Sequence, residues 1–139
     1  MNRFAYCPKC HSVFETGRLD PKLEWKYTCE CPAPDCDGKA FEIDEDMILP
    51  IEILNRKGYE TTWCCSGHVF DMTGDDGYIS FSNDKNVPNT LPDGWYSDAE
   101  YKSIRYHIST QNPLLRRKAI VQHMDSLIEW AVGLPQNAD

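Results

Sequence analysis

Two cysteine clusters about twenty residues apart constrain this 139-residue chain more than any other feature. The first is Cys7-Pro8-Lys9-Cys10, a Cys-x-x-Cys turn from which two thiolates can reach one ion. The second contains Cys29, Cys31 and Cys36. Cys31 and Cys36 have four residues between them, a spacing within the range that metal modules use. Cys29 and Cys31 lie two apart, and on an extended chain they point the same way, so geometry does not choose between them. The reading is a zinc ion held by Cys7, Cys10, Cys31 and Cys36, with Cys29 as the alternative to Cys31. Four protein thiolates close the coordination sphere, which makes the ion structural and leaves no position for catalysis. His11 directly follows Cys10 and is expected to turn outward, because adjacent side chains rarely both reach one tetrahedral centre.

A metal staple suits the rest of the composition. Hydrophobic residues make up 41% of the chain, and residues 1–43 have too few of them to fold unaided. The formal net charge of -8 repels phosphates, which argues against nonspecific nucleic-acid binding as a main activity and leaves it a third choice; such a surface suits ordinary solubility first, then a basic partner or a nucleic-acid mimic. No run reaches the roughly 18 apolar residues of a membrane helix. The first residues, Met1 to Cys7, have no apolar run of signal-peptide type. A cytoplasmic location is expected, where thiols stay reduced and seven cysteines point to metal or chemistry rather than disulfides.

Residues 1–43 therefore read as a zinc ribbon, with strands expected at 24–28 and 40–43 around the second cluster. Residues 44–139 read as an α+β core. Met47, Ile51 and Leu54 share a face of a short helix that begins after three acids and stops at Lys57-Gly58. Tyr59 to Cys65 and Tyr78 to Ser82 read as strands. Ser97-Asp98-Ala99-Glu100 matches a capping box and predicts a short helix. Residues 104–108 alternate as a third strand, with helix as the competing reading. The clearest element is a long C-terminal helix, capped by Asn112, opened by Pro113 and stopped by Gly133-Leu134-Pro135. Ile120, Met124, Leu127, Ile128 and Ala131 keep helical spacing. Arg116, Arg117 and Lys118 near its start are expected to be solvated, with neutralisation by acids or an anionic ligand as the alternative. Asp71, Asp75 and Asp76 are expected to form a solvated acidic loop, since they lack the spacing of a calcium loop.

The segment Cys64-Cys65-Ser66-Gly67-His68 ends an apolar strand, a common place for a binding site. Cys65 and His68 are spaced to form a thiolate–imidazole pair, and Gly67 lets a backbone or ligand approach closely. The competing reading is packing, since buried cysteine often has no further role. Asn55 to His68, followed by Tyr78-Ile79-Ser80-Phe81, resembles a segment of small uncharacterised proteins of Firmicutes and their phages that also carry an N-terminal cysteine ribbon. It is also distantly similar to the Ser-Cys-Ser-Gly-Arg segment of the wybutosine-synthesis methyltransferase family, with His68 where that family has Arg. That similarity covers about a tenth of the chain and implies an α/β core with the Cys65, Ser66, Gly67 and His68 turn at or near the functional cleft. The chain has no Gly-x-Ser-x-Gly elbow, P-loop, His-Glu-x-x-His or glycine-rich cofactor loop.

These features together predict an N-terminal zinc ribbon on a small α+β core with a long C-terminal helix. The expected function is a zinc-binding interaction or regulatory protein of phage or bacterial origin that acts through a protein partner. The alternative is an enzyme or small-ligand binder with its site at Cys65 to His68.

Overall fold

In the computed structural model, four short strands bring the N-terminal cysteines together: Phe4–Tyr6 (β1), Val13–Glu15 (β2), Thr28–Glu30 (β3) and Lys39–Ile43 (β4). They form an antiparallel sheet in the order β2-β1-β4-β3. The structure describes residues 4–15, 28–70 and 76–138, with the backbone alone at 28 and 29. Of the strand expected at 24–28, only Thr28 falls among the described residues, and it opens β3.

A 3-10 turn over Glu45–Met47 leads into helix α1, Ile48–Arg56. Pro50 falls in its first turn, where its missing N–H has no intrahelical acceptor to satisfy. Gly58, at φ 91, ends the helix, as the Lys57-Gly58 signal predicts. Buried Asn55 then fixes the turn into the next strand: its amide donates to Ile51 O (2.8 Å) and Thr61 Oγ1 (2.9 Å), and its carbonyl accepts from Thr61 N–H.

The second antiparallel sheet has the order β5-β6-β8-β7, from Thr61–Cys65 (β5), Tyr78–Phe81 (β6), Tyr96–Asp98 (β7) and Ser103–Arg105 (β8). The capping-box helix does not form. Ser97 is a strand residue paired with Ile104, Asp98 makes no side-chain cap, and residues 99–101 are a single 3-10 turn closed by Lys102 at φ 50. Ladder pairing satisfies the backbone groups that a helix at this point would have used. The alternating segment at 104–108 is a strand over its first part, since β8 pairs with both β6 and β7.

Helix α2, Pro113–Gly133, follows the sequence signals at its start. The Asn112 side chain accepts from the N–H groups of Leu114 and Leu115 (3.0 and 3.3 Å). Its end is built differently from the expected glycine stop. Gly133 is not left-handed; instead Lys57 Nζ donates to the carbonyls of Ala131, Val132 and Leu134 (2.9, 2.6 and 2.6 Å). A cation on the last carbonyls satisfies orphan acceptors and complements the helix dipole.

The main core joins Met47, Ile51 and Leu54 of α1, Ile79, Phe81, Ile104 and Tyr106 from the second sheet and the segment after it, and Ile120, Met124, Leu127 and Ala131 of α2. Tyr6 and Ile43 of the first sheet pack into the same core. A smaller cluster of Ala5, Cys7, Cys31 and Ala40 lies on the cysteine side. The described helices include none long and apolar enough to cross a membrane.

Two phenols in the main core have a consequence in alkali. Burial, then the Glu52 charge, pushes the Tyr6 hydroxyl above its ordinary value, and burial, then Cys65 and Asp76, does the same for Tyr106. A raised pKa in the folded state stabilises the protein fully below the unfolded value, about 10, and that contribution is lost as pH rises beyond it. Spectrophotometric titration is expected to show exposed tyrosines ionising near pH 10, with the absorbance of Tyr6 and Tyr106 arriving only together with unfolding. Smooth ionisation of every tyrosine before any loss of structure contradicts this.

Candidate functional site

The N-terminal sheet builds its cysteine centre from two turns. After β1, Cys7 N–H donates to Ser12 O (3.0 Å) and His11 N–H to Cys7 O (2.7 Å), which folds Cys7 to Ser12 back on itself. His11 closes this turn in the left-handed region at φ 63, a conformation in which His is enriched. Its ring is half-buried, and Nδ1 lies 2.7 Å from Tyr6 Oη, so it serves the turn. The second turn runs from Cys31, whose N–H donates to Gly38 O (2.9 Å), through Asp35 at φ 61. Gly38 N–H points at Cys36 Sγ (3.4 Å), and a Cβ on Gly38 would meet Cys7 Sγ at 3.0 Å, so glycine lets the two turns close on each other. A Lys9–Asp37 ion pair ties them on the outside.

Cys7, Cys10, Cys31 and Cys36 converge with their sulphurs all within 4.8 Å of one another. Cys7 Sγ–Cys36 Sγ is 3.8 Å and Cys10 Sγ–Cys31 Sγ is 3.6 Å. A disulfide bond is about 2.05 Å long, so neither pair is bonded. A tetrahedral ion with metal–sulphur bonds of about 2.3 Å places its ligands about 3.8 Å apart, and the observed separations match. The electrostatics also call for a cation. Hydrogen bonding with the Ser12 side chain and backbone lowers the Cys10 thiol to about 6. Cys31 stands at about 12: the Ala33 backbone lowers it, but burial and the hydrogen bonds with Cys10, Cys7 and Cys36 raise it more. Four thiolates this close do not all ionise without a positive ion between them. The four cysteines could hold a metal ion, and it is Cys31 whose sulphur joins the other three. The Cys29 side chain lies outside the described residues; its backbone pairs with Ala40 in the ladder.

The second predicted site forms a tied turn after β5. Cys65 Sγ and His68 Nε2 are 3.3 Å apart, within hydrogen-bonding range for sulphur. Ser66 and Gly67 hold that geometry in place. Ser66 N–H and Oγ both donate to Asp44 Oδ2 (2.8 and 3.1 Å), and Ser66 O accepts from the Tyr106 hydroxyl. Gly67 sits at φ 101 directly over that hydroxyl, where a Cβ would collide with it. His68 O accepts from Arg116 Nε (3.2 Å) and Nη2 (3.0 Å). Cys64 points away from Cys65, and burial, then the charge of Asp44, pushes its thiol up. It belongs to the packing.

Arg116 corrects the expectation of a solvated basic turn. It is buried, and besides His68 O it donates to Asp76 Oδ1 (2.8 Å) and to the carbonyls of Thr110 (3.1 Å) and Ile108 (3.4 Å). Arg117 and Lys118 are exposed as expected. Asp76 is likewise no part of a solvated loop: its side chain is 1% exposed and also accepts from Ile108 N–H (2.7 Å) and pairs with His107 Nδ1 (2.9 Å). Asp71 and Asp75 lie outside the described residues. His123 stacks on Tyr106 with centroids 4.3 Å apart, a structural role. Sequence reasoning missed Asp44, Tyr106, Asp76 and Arg116 as the supports of the Cys65 turn. Their partners lie far away in sequence, and no local pattern announces them.

No protein-family model, curated protein or solved structure matches the chain.

Proposed function

We propose that this chain is a small zinc-binding interaction protein, with residues 1–43 as a zinc ribbon docked on an α+β core over 44–139, acting through a basic protein partner. The all-thiolate, four-membered ligand set favours zinc in a closed structural site, where the ion holds the two turns together and takes no part in a reaction.

The observation that carries the interaction reading is the outward face of α2. Leu114, Val121 and Val132 are 72%, 55% and 60% exposed. Their spacing of seven and then eleven residues places them along one side of the helix. Between Val121 and Val132 the helix carries exposed Asp125 and Glu129 and no Lys or Arg. Arg117 and Lys118 lie between Leu114 and Val121, so the acidic part of this face is its C-terminal half, where Val121 and Val132 flank Asp125 and Glu129; that half fits a basic partner, and the net charge of -8 speeds its approach.

The test begins with metal analysis of the native protein, expected to give one zinc per chain. Partners are then captured on the zinc-loaded chain, and affinity for a captured basic partner is measured. Val121→Glu and Val132→Glu are expected to weaken it at least tenfold with zinc content unchanged, and Cys65→Ser is expected to leave it intact. Equal affinity for wild type and the two glutamate variants sinks the reading.

A second reading rests on the 3.3 Å contact between Cys65 and His68. A thiol and an imidazole at that distance, on a turn tied from three sides, suit a site of thiol chemistry or ligand binding.

A further inference from the structure

The surroundings of Cys65 narrow the chemistry open to it. This step rests on the second reading above, that Cys65 and His68 form a reactive pair. Two reaction classes use a thiol beside an imidazole: acyl transfer, and exchange with a disulfide.

Acyl transfer develops an oxyanion that needs preorganised donors. In nucleophile turns, a frequent donor is the backbone N–H of the residue after the nucleophile. Here that group is Ser66 N–H, and it is spent on Asp44 Oδ2 at 2.8 Å. The Ser66 hydroxyl is spent on the same oxygen at 3.1 Å. The turn therefore has a carboxylate where an oxyanion hole would need positive potential, and a developing oxyanion is repelled. Thiol–disulfide exchange develops no oxyanion. It needs a thiolate, access in line with the S–S bond, and somewhere for the proton to go. Cys65 is partly exposed, and His68 Nε2 is the proton's destination at 3.3 Å.

We infer that Cys65 is a monothiol exchange site for small disulfides, with His68 as its proton acceptor. The Cys65 proton moves to His68 Nε2, and Sγ attacks one sulphur of the disulfide. The S–S bond breaks, the Cys65–S bond forms, and the electron pair leaves with the second sulphur. That leaving thiolate takes the proton back from His68. The products are one mixed disulfide on Cys65 and one free thiol; one S–S bond replaces another, so the exchange carries no net oxidation or reduction.

Cys64 does not resolve the adduct, because it is adjacent on a strand and points to the other face, with its thiol held protonated by burial. The mixed disulfide therefore persists until an outside thiol removes it. Among the described residues, titratable groups that act electrostatically with Cys65 or its neighbour include Asp44 directly after β4, Cys64 in β5, Tyr78 in β6 and Tyr106 after β8.

The zinc-loaded full chain is treated with oxidised glutathione across a pH series, and adducts are located by mass spectrometry. Iodoacetamide and a small acyl thioester serve as parallel probes. One glutathionyl group on Cys65 is expected, absent in Cys65→Ser and retained in Cys64→Ala. His68→Gln is expected to slow its formation on the order of tenfold at pH 7, with the difference vanishing above the ordinary thiol pKa of about 8.5. An equal rate in His68→Gln at every pH overturns the inference, as does Cys65-dependent turnover of the thioester faster than disulfide exchange. If Cys65 in the folded protein resists iodoacetamide, the reading of a reactive pair itself fails. If it is alkylated readily yet exchanges with no disulfide, that reading survives and only the disulfide inference falls.

Discussion

Removing the metal, or replacing Cys31 by serine, is expected to unfold strands β1 to β4 while β5 to β8 and both helices keep their structure. The argument is one of size. On the cysteine side the sheet has a buried cluster of only Ala5, Cys7, Cys31 and Ala40, with Phe14, Ala33 and Cys36 partly covering it. Such small side chains bury little apolar area, and at about 25 cal/mol per Å² they fall short of the ordering entropy of two turns and four strands. Structural zinc supplies an apparent binding free energy of roughly 10–16 kcal/mol at pH 7, and where no site exists in the unfolded chain that is folding free energy. Hydrogen exchange read by mass spectrometry is expected to lose its protection over 4–15 and 28–43 and to keep it over 113–133. Acid produces the same change, because the ligands must be thiolates: as pH falls, protons compete for the sulphurs and the metal leaves. Full protection of the first sheet in metal-free protein refutes the account.

Arg116→Ala is expected to destabilise the protein by about 3–5 kcal/mol, the usual cost of stripping one partner from a buried ion pair. The side chains of Arg116 and Asp76 are 5% and 1% exposed, so neither charge finds compensating water. Among the described residues, removing the guanidinium leaves the Asp76 carboxylate with His107 and the Ile108 N–H. It also orphans the carbonyls of His68 and Thr110. Arg116→Lys restores charge without the planar fork, and is expected to recover part of the loss. Denaturant unfolding of both single variants and of the Asp76→Ala, Arg116→Ala double variant measures the coupling, which is expected to be strongly favourable. Single losses below 1 kcal/mol would mean that the pair is not insulated from solvent as the structure has it.

These two predictions mark what local sequence does and does not reveal. The α2 start was legible because Asn112, Pro113 and the apolar spacing all lie within the element they define. The metal ligands were legible as a set because chelation imposes short spacings. The choice of Cys31 over Cys29 was not, since both fall on the same face of an extended strand. Among the described residues the 31–38 turn, closed from Cys31 N–H to Gly38 O, brings Cys31 beside Cys36. The capping box at 97–100 failed for the opposite reason: a local signal lost to pairing with a strand that comes later. Arg116 was misread because its partner Asp76 is 40 positions away. The end of α2 was misread because Lys57, which caps it, comes 74 or more positions earlier.

The placement of α2 at the end of the element order has a consequence for the chain as it emerges from the ribosome. The four-cysteine set, which could hold a metal ion, is complete once residue 36 is made, before β5 to β8 and α2 are translated. The second half follows a different schedule. Ile79, Phe81, Ile104 and Tyr106 share a core with Ile120, Met124, Leu127 and Ala131 of α2, and that cover is translated after the sheet it packs on. At synthesis rates of about 5–20 residues per second, the nascent chain spends seconds with a fastened amino-terminal module and a bare apolar sheet behind it.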